Sequence, residues 1–433
     1  MYTVDVISLG CSKNLVESER LMKQLESKGY KIRFEPSYPN GDLVVVNTCG
    51  FISDAKEESI NTILELCEKK KRGEIGKIAV MGCLSQRYLK TLKKEIPEVD
   101  NWYGKFDWIK LIEDLPEQKK VKKKIQTWER KLTTPPHSAY LKISEGCNRF
   151  CAFCAIPLIT GKHTSRPVEE VLEEVRHLVK KGVKEFNIIA QDLSSYGKDL
   201  YGKSVLASLI QKISDIEGVK WIRLHYAYPA DFPIEVLDVM AERENVCKYL
   251  DIALQHISDP VLSNMRRHIS KEETLKLLKE IRARVPGIKL RTTLMTGFPG
   301  EGEKEFEELK EFVKTQRFER MGAFTYCEEE DTYAAKNSPD TIDSLIKQNR
   351  LDEIMQIQQG ISLELNEEMV GSIQRVIIDR IEEGIAYGRT QYDSPEVDPE
   401  VIIKDEELKP GEFIEVKITE AYPFELVGEV IHK

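Results

Sequence analysis

The sequence predicts an α/β protein with three domains: a parallel α/β domain, a (β/α)6 partial barrel and a C-terminal antiparallel β-barrel. Strand-like and helix-like segments alternate over residues 1–115, and the alternation restarts for six units over residues 137–368. Between these regions, residues 116–136 are highly charged and end in two prolines, which indicates a linker. Residues 369–433 contain short β-rich runs separated by turns, which predicts a small five-stranded barrel.

In the first domain, three apolar strands alternate with three helices. Each strand is followed by a segment with helical spacing of its apolar residues, which is typical of a parallel sheet covered by helices. Ser53 or Asp54 is the predicted N-cap of the second helix, because a short oxygen-bearing side chain can accept a hydrogen bond from the first turn. In chain order the predicted elements are Val4–Leu9, Val16–Lys28, Leu43–Thr48, Asp54–Lys71, Lys77–Met81 and Ser85–Lys94.

The second domain contains six predicted strands, with helical stretches such as Val168–Lys181 and Lys271–Val285 between them. Right-handed crossovers curl such a sheet in one direction, so functional groups are expected at the carboxyl ends of its strands. Thr341–Glu368 is predicted to form one long helix. The predicted strands are Tyr140–Ser144, Glu185–Ala190, Trp221–Tyr226, Tyr249–Leu254, Lys289–Thr296 and Gly322–Tyr326, and in the last domain Gln374–Ile381, Ile385–Gly388, Phe413–Thr419 and Glu425–His432.

Cys147, Cys151 and Cys154 form a C-x3-C-x2-C triplet directly after the first strand of the partial barrel. Three thiolates so close together can hold three corners of a 4Fe–4S cluster, which leaves the fourth iron open to a small molecule. The alternatives are a zinc site or three unrelated buried thiols. Structural zinc sites prefer four protein ligands, no fourth cysteine is near, and the nearest histidine is His163. The residue types therefore favour an iron–sulfur cluster.

Cys11, Cys49 and Cys83 each lie just past the end of a predicted strand in the first domain. Ligands bind beyond the carboxyl ends of the strands in an open parallel sheet, so these cysteines can converge despite their separation in sequence. The alternative is that each is a small apolar residue in a turn. The repeated position favours a second open 4Fe–4S cluster. Adjacent glycines, which let backbone approach a bulky group, are Gly10, Gly50 and Gly82. The remaining cysteines are predicted to be packing residues: Cys67, Cys247 and Cys327.

Composition places the chain among cytoplasmic proteins with reduced or metal-bound thiols, since nine cysteines occur without an export signal. No apolar run approaches the roughly 20 residues of a membrane span. The net charge is −9, and residues 370–433 account for −8 of it, with 15 acidic and 7 basic residues. The basic run Lys119–Lys124 is interpreted as a solvated connector, with a nucleic-acid contact as the alternative.

The spacing of the first triplet resembles the signature of radical S-adenosylmethionine (SAM) enzymes. With the second cysteine set and the C-terminal barrel, essentially the whole chain resembles the methylthiotransferases, which combine a cluster domain, a radical SAM partial barrel and a TRAM barrel. It is closer to members that modify a ribosomal protein than to tRNA-modifying members, which typically have Gln-Met-Asn at Ser12–Asn14. Cys327–Asp331 and Ala253 depart from the pattern. The segments that carry the resemblance are Ser8–Glu19, Val46–Ile52, Ala190–Gly197, Leu224–Pro229, Asp251–His256, Thr296–Glu301 and Gly388–Asp393.

The resemblance implies a transferase that adds a methylthio group to the β-carbon of an aspartate in the ribosomal protein called S-twelve. One SAM would donate a methyl group to sulfur associated with the N-terminal cluster. A second SAM, bound at the cluster of the first triplet, would yield the 5′-deoxyadenosyl radical that abstracts hydrogen. We also expect a reductant such as flavodoxin or ferredoxin, a sulfur donor, no membrane partner and a monomeric protein.

SAM contacts are predicted at strand ends of the partial barrel, and no catalytic residue is predicted beyond the cluster ligands. Gly297 and Gly300 resemble the glycine motif that borders the SAM adenine in the superfamily, although Gly-x-Pro-Gly is also a common turn. Phe153 stands where the family often has an aromatic residue near the adenine. The candidates for contact with the ribose or the carboxylate of SAM are Gln191, Gln255 and Arg266. The alternative for each is that it is a loop residue that faces solvent.

Two other functions remain open from the sequence: a tRNA methylthiotransferase, and a non-catalytic iron–sulfur sensor or electron carrier. A barrel that binds RNA should carry a basic surface, because phosphate contacts dominate affinity for RNA. The acidic C-terminal segment instead favours a basic ribosomal protein as partner, although the charge could also serve solubility alone. Its turn containing Glu396, Asp398 and Glu400 is expected to contribute to docking of that partner.

Overall fold

A parallel sheet of five strands forms the N-terminal domain of the protein. The computed structural model describes residues 2–118, 125–404 and 407–431, so the basic run Lys119–Lys124 lies outside the described residues. The elements of this domain are β1 (Thr3–Ser8), α1 (Ser12–Ser27), β2 (Lys31–Phe34), β3 (Leu43–Thr48), α2 (Ser53–Lys71), β4 (Lys77–Gly82), α3 (Cys83–Glu95), β5 (Asn101–Trp102) and α4 (Trp108–Asp114). The strands lie in the order β2-β1-β3-β4-β5.

The central strand β3 explains the layering of this domain. Every residue of β3 is buried, because successive side chains point to opposite faces and both faces are covered. Leu43 and Val45 pack in the apolar cluster that contains Leu21 of α1. Val44 and Val46 pack in the cluster on the other face, which includes residues of α2 and α3. The predicted parallel α/β domain is therefore confirmed.

Local boundaries differ from the sequence prediction in three ways. The N-cap of α2 is Ile52, without a side-chain cap, so the prediction of Ser53 or Asp54 is wrong. The first and third helices begin directly at the cysteine positions, because α1 is capped by Cys11 and Cys83 is the first residue of α3. The edge strands β2 and β5 have only four and two residues, which is too short for a visible alternation of apolar residues.

The partial barrel consists of six parallel strands in the order β13-β12-β11-β10-β9-β6, as the six predicted units require. A short 3-10 helix spans Leu193–Ser195. The elements are β6 (Ser138–Lys142), β7 (Ser144–Glu145), α5 (Ile156–Thr160), β8 (Thr164–Ser165), α6 (Val168–Val179), β9 (Glu185–Ile189), α7 (Lys198–Tyr201), α8 (Leu206–Ser214), β10 (Trp221–Ala227), α9 (Glu235–Glu242), β11 (Val246–Ile252), α10 (Asp259–Asn264), α11 (Lys271–Arg284), β12 (Lys289–Thr296), α12 (Glu303–Gln316), β13 (Arg320–Thr325), α13 (Tyr333–Asn337) and α14 (Ser344–Glu367).

A closed five-stranded barrel ends the chain, in the order β14-β15-β16-β18-β17. Four of its strand pairs are antiparallel as predicted, and the pair β16–β18 that completes the closure is parallel. Closure leaves no strand edge exposed. None of the described helices has the length and apolarity needed to cross a membrane. The strands are β14 (Ile373–Glu382), β15 (Ile385–Thr390), β16 (Glu400–Ile403), β17 (Phe413–Ala421) and β18 (Glu425–Val430).

Buried ion pairs attach this C-terminal barrel to the amino ends of the partial-barrel strands. Arg389 of β15 donates to both carboxylate oxygens of Glu185, the first residue of β9, at 3.0 and 2.7 Å. Both side chains are at most 2% exposed. Burial alone would raise the pKa of Glu185, but the guanidinium of Arg389 lowers it below the usual range, so the carboxylate stays charged. Arg389 also donates to Asp379 at 2.6 Å.

Replacing Arg389 by methionine is expected to lower the free energy of unfolding by about 3–5 kcal/mol, because the charges of Glu185 and Asp379 would lose a buried partner. Arg380→Met is the matched control. Arg380 pairs with Glu400 at the surface, where such pairs contribute about 0–1 kcal/mol. Urea unfolding followed by circular dichroism measures both variants. Equal midpoints for the two variants would show that the buried pair does not anchor the barrel.

Candidate functional site

The first cysteine triplet occupies one loop at the carboxyl end of β6. The loop folds back on itself, because the Cys154 N–H donates to the Cys151 carbonyl at 3.0 Å and the Arg149 N–H donates to Cys147 Sγ at 3.5 Å. A side chain at Gly146, where φ is 71°, would collide with neighbouring backbone, so this turn requires glycine. The fold thus brings three thiols to the expected functional end of the barrel.

The thiols of this triplet are suited to binding a metal group rather than to acting as free nucleophiles. Burial raises the pKa of Cys147 to about 12, and burial also raises the pKa of Cys154. Such thiols ionise when a metal replaces the proton. Among the described residues, no group of three or more His, Cys, Asp or Glu side chains surrounds a single metal ion. A 4Fe–4S cluster makes a different demand, since each of three thiolates binds its own iron.

Two arginines beside the triplet are functional candidates that the sequence pattern did not identify. Arg267 Nη1 donates to Cys151 Sγ at 3.2 Å, and Arg149 Nε donates to Asp192 at 2.7 Å. Both guanidinium groups lie over the Tyr228 ring, at 4.2 and 4.3 Å from its centroid. Positive charge here favours thiolates and an anionic ligand group. The position of Arg149 inside the cysteine motif is the one signal that could have identified it.

The predicted border of the SAM adenine is assembled from the cysteine loop and the turn after β12. Gly297 and Gly300 have φ angles of 73° and 96°, in the left-handed region that glycine tolerates. Phe298 between them contacts Phe153 edge to face, with 6.2 Å between ring centroids. The structure therefore brings Phe153 and the glycine turn together, as the resemblance implies.

Gln255 and Gln191 present unpaired carbonyl oxygens near the strand ends. In each, Oε1 is buried without a hydrogen-bond partner. Gln255 is 8% exposed and forms a parallel bridge with Leu294 of β12, so it is not a solvent-facing loop residue. Buried carbonyl oxygens normally accept hydrogen bonds. The amino group and ribose hydroxyls of SAM are donors of the required kind, so these residues fit the predicted ligand.

Arg266, the third polar candidate, lies over the ring of Tyr333, with 4.5 Å from its guanidinium carbon to the ring centroid. Its backbone has a φ of 57°, which turns the chain sharply after α10. The next residue, Arg267, is the one that reaches the cysteine loop. A sequence pattern cannot distinguish adjacent arginines in such a turn, because their directions depend on the tertiary contacts.

The second triplet also lies together, at the carboxyl edge of the N-terminal sheet. A Cβ built at Gly10 would lie 2.9 Å from Cys49 Sγ, so the chain beside Cys11 approaches Cys49 closely. Asn14 connects the three loops. Its Nδ2 donates to the carbonyls that precede Gly10 and Cys49, at 3.1 and 3.0 Å, and its Oδ1 accepts from the Cys83 thiol at 3.6 Å. Burial raises the pKa of Cys83 to about 12, as in the first triplet.

The two triplets border the same interface between the N-terminal domain and the partial barrel. Cys83 packs against Ala155 and Ile159 of α5, the helix that begins two residues after Cys154. Buried ion pairs hold this interface in one position, since an unpaired charge there would be strongly destabilising. They centre on Glu17 of α1, which accepts from Lys142 of β6 across the interface at 2.6 Å. Lys105 of the N-terminal domain also donates to Glu17 at 2.6 Å and lies 4.0 Å from Glu145 across the interface, and Lys142 pairs with Glu145 of its own domain.

The acidic stretch Cys327–Asp331, which departs from the family pattern, makes a second contact across this interface. Glu329 accepts hydrogen bonds from Lys56 at 2.9 Å and from Arg87 at 2.8 Å. Glu329 is 5% exposed, so its charge depends on these partners. The acidic residues therefore join the end of β13 to helices α2 and α3.

The predicted packing role is confirmed for two of the three other cysteines. Cys67 and Cys247 are buried in apolar clusters. Cys327 is exposed, so the prediction that it packs in a core is wrong. Cys327 lies in the loop after β13, two residues before Glu329. Glu329 binds Lys56 of the N-terminal domain, whereas the Cys327 thiol lies at the surface.

The acidic turn of the C-terminal barrel does not form the expected free docking surface. The Asp398 side chain is 1% exposed and pairs with Arg291 of the partial barrel, and Glu400 pairs with Arg380. The expectation of docking is therefore wrong for Asp398, which is buried against an arginine of this protein, and it stays a prediction for Glu400, whose side chain is 35% exposed. Glu396 is exposed. The pair of Arg389 and Glu185 attaches this barrel to the amino ends of the partial-barrel strands, which is the end opposite the first cysteine triplet.

Comparison with family models matches all three domains. The Radical SAM superfamily model matches residues 141–313, Uncharacterized protein family UPF0004 matches residues 3–104, and the TRAM domain matches residues 370–431. Among solved structures, the radical S-adenosylmethionine methyltransferase TsrM from Kitasatospora setae has 14% identity and a TM-score of 0.57, covering 89% of this chain and 77% of that one. The cobalamin-dependent radical enzyme OxsB has 14% identity and a TM-score of 0.51, covering 83% and 56%. These two show the fold alone.

Curated relatives match over nearly the full length. Proteins from Bacteroides fragilis and Porphyromonas gingivalis are 60% and 59% identical over 431 residues, covering 99% of each chain. A protein from Cytophaga hutchinsonii is 49% identical over 430 residues, covering 99% of this chain and 98% of its own. All three carry the name "Ribosomal protein uS12 methylthiotransferase RimO". With this identity over both whole chains, and with radical SAM and TRAM domains in the expected places, the chain belongs to the RimO family of radical SAM methylthiotransferases.

Proposed function

We propose that this protein transfers a methylthio group to the β-carbon of an aspartate in ribosomal protein uS12. The observation that carries the proposal is the second cysteine triplet, which borders the same interface as the radical SAM triplet. Radical formation requires one triplet, and the second provides a place for a sulfur-bearing group next to it. The name shared by the full-length relatives supports the same substrate.

The radical SAM superfamily implies a 4Fe–4S cluster and SAM. When bound, they supply the one-electron cleavage of SAM that yields a 5′-deoxyadenosyl radical. Three cysteines without a fourth ligand fit this requirement, since the open iron remains for SAM. We assign a second 4Fe–4S cluster to the triplet of the N-terminal domain. The proposed ligands are Cys147, Cys151 and Cys154 for the first cluster and Cys11, Cys49 and Cys83 for the second.

SAM is held in this proposal by residues of the strand ends. Phe153 and the turn of Gly297 and Gly300 border the adenine, since they already contact each other through Phe298. Gln191 and Gln255 accept hydrogen bonds through their unpaired Oε1 atoms. Arg266 provides positive charge for the SAM carboxylate. No further side chain is assigned a catalytic role.

The contacts across the interface serve the chemistry by limiting the access of water. A carbon radical reacts with any nearby group, so it must form in an enclosed space. Glu17 with its two lysines, and Glu329 with Lys56 and Arg87, hold the N-terminal domain against the barrel. The side chains that hold the two domains together are thus distinct from those proposed to bind the cofactors.

We also propose a cytoplasmic monomer that receives electrons from flavodoxin or ferredoxin and sulfur from a separate donor. All nine cysteines are free thiols in the structure, which supports a reducing compartment. The proposed domains are residues 1–115, a linker over 116–136, the radical SAM core over 137–368 and the TRAM domain over 369–433.

Neither alternative function is favoured. A tRNA methylthiotransferase with this fold should carry a basic C-terminal barrel, whereas residues 370–433 carry −8. An iron–sulfur sensor or electron carrier has no need of SAM, and clusters that lack a fourth protein ligand are poor carriers. A barrel with this charge would repel RNA rather than attract it.

The reconstituted enzyme, with SAM and a reductant, is expected to add a methylthio group to purified ribosomal protein uS12. Mass spectrometry with fragmentation locates the added mass on one aspartate. Bulk tRNA in a parallel reaction serves as the competing substrate, read as methylthio nucleosides after digestion. Modification of tRNA with no change to the ribosomal protein would contradict the proposal.

A further inference from the structure

Lys13 connects the second cysteine triplet to the partial barrel. It lies two residues after Cys11 in the first turn of α1, and its Nζ is 3.0 Å from the centroid of the Tyr226 ring. Tyr226 is the penultimate residue of β10, at the carboxyl edge of the barrel. Tyr228, two residues further, accepts a hydrogen bond from the Cys151 thiol. Lys13 therefore joins the helix that begins at Cys11 to the strand end that carries the tyrosine beside Cys151.

The backbone beneath Lys13 is strained. Tyr226 has a φ of 63°, which is rare for a bulky aromatic residue and persists only where the surrounding structure imposes it. Its N–H donates to Asp251 at 3.2 Å, which helps to fix this conformation. Tyr226 is nevertheless 37% exposed, so the surface that it shares with Lys13 is open to a ligand. Strain of this kind concentrates at binding and catalytic sites.

No carboxylate oxygen lies within 4.0 Å of Lys13 Nζ among the residues that the structure describes. Lys105 and Lys142 at the same interface both bind Glu17. Asp251 of the barrel is near enough to interact with Lys13 by charge: burial raises the pKa of Asp251, and the charges of Arg291 and Lys13 oppose that rise. One Asp251 oxygen accepts from the Tyr226 N–H, and Asp251 forms no direct ion pair with Lys13. A lysine that is held on an aromatic face without a direct ion pair is suited to bind an anionic group of a ligand.

We propose that Lys13 binds the carboxylate of the acceptor aspartate and thereby selects that residue in the substrate protein. The inference rests on the proposed function, because it names a contact for that substrate. The β-carbon of aspartate is bonded directly to the carboxyl carbon. A contact between Lys13 and the carboxylate therefore positions the carbon that reacts. An amide at that position lacks the negative charge that the ammonium group attracts.

A competing explanation is that Lys13 only offsets the negative charge of the thiolates at Cys11 and its neighbours. The two roles differ in their dependence on the substrate. A contact with the acceptor carboxylate distinguishes a peptide with aspartate from the same peptide with asparagine. An effect on the cluster alone changes the behaviour of both peptides equally.

The test uses the full-length reconstituted enzyme and two fluorescent peptides of ribosomal protein uS12, with aspartate or asparagine at the acceptor position. Dissociation constants from fluorescence anisotropy are measured for the wild type, Lys13→Met, Lys13→Arg and Lys23→Met. Lys23→Met is the matched control, since it removes the same charge from α1 at a residue that pairs with Glu26. The four constants for two enzymes and two peptides form a double-mutant cycle, which isolates the contact.

Wild type is expected to bind the aspartate peptide about 10- to 100-fold more tightly than the asparagine peptide, the range of a hydrogen bond to a charged group. Lys13→Met should remove this preference, Lys13→Arg should restore part of it, and Lys23→Met should retain it. An equal preference in wild type and Lys13→Met would overturn the inference. If wild type prefers aspartate but mass spectrometry finds no methylthio product, the proposed function fails while the measured contact stands.

Discussion

Replacing Cys147, Cys151 and Cys154 together by alanine is expected to abolish the cleavage of SAM and to halve the bound iron. These thiols occupy one loop at the carboxyl end of the barrel, where the proposal places the cluster that cleaves SAM. Anaerobically reconstituted wild type should hold about eight irons, and the variant about four, since each cubic cluster contains four. The measurements are iron analysis and chromatography of 5′-deoxyadenosine.

The matched control replaces Cys67, Cys247 and Cys327 by alanine, which removes the same number of thiols from positions outside both triplets. This control should retain about eight irons. Unchanged iron in the first variant, or loss of iron in the control, would show that the proposed ligands are assigned incorrectly.

Replacing Cys11, Cys49 and Cys83 by alanine is expected to eliminate the methylthio product while SAM is still cleaved to 5′-deoxyadenosine. The first triplet and its arginines belong to the barrel, so radical formation does not require thiols of the N-terminal domain. Cys83 contacts α5 through packing, and alanine retains a small apolar side chain there. The product is measured by mass spectrometry of the ribosomal protein, and 5′-deoxyadenosine is measured in the same reaction.

Full product formation by this second variant would show that the cysteines of the N-terminal domain serve only as packing residues. Loss of both products would show that the two sites are not separable. The single variant Cys83→Ser provides a check on folding, because the hydroxyl can still donate to Asn14 as the thiol does.

The strand and helix pattern of the sequence was sufficient for the two parallel sheets. Strands such as β3 are buried on both faces, so they appear as continuous apolar runs between amphipathic helices. The short strands β2, β5 and β16 were not predicted, because two to four residues show no periodicity. The parallel pair β16–β18 depends on closure of the barrel, which no local pattern records.

The cysteine ligands could be predicted because their chemistry is local or repeated. The first triplet is contained in one loop, and the second recurs at three strand ends. Contacts between distant residues gave no such signal. Arg267 reaches Cys151 across 116 positions, and Glu329 reaches Arg87 across 242. Charge composition likewise revealed that the last domain is acidic, but not that Asp398 is buried against an arginine.

The pair of Glu185 and Arg389 has a consequence for how the protein is made. The two residues are 204 positions apart in the chain, and Arg389 belongs to the last domain to be synthesised. At about 5–20 residues per second, Glu185 is synthesised roughly 10–40 seconds before Arg389. During that time Arg223 of β10 is the buried partner that Glu185 already has, and the second guanidinium that pairs with this carboxylate is missing. The radical SAM core therefore acquires the full set of partners for Glu185 only when the last domain is made, and a chain terminated before Arg389 is expected to have a less stable core on which chaperones and proteases act more readily.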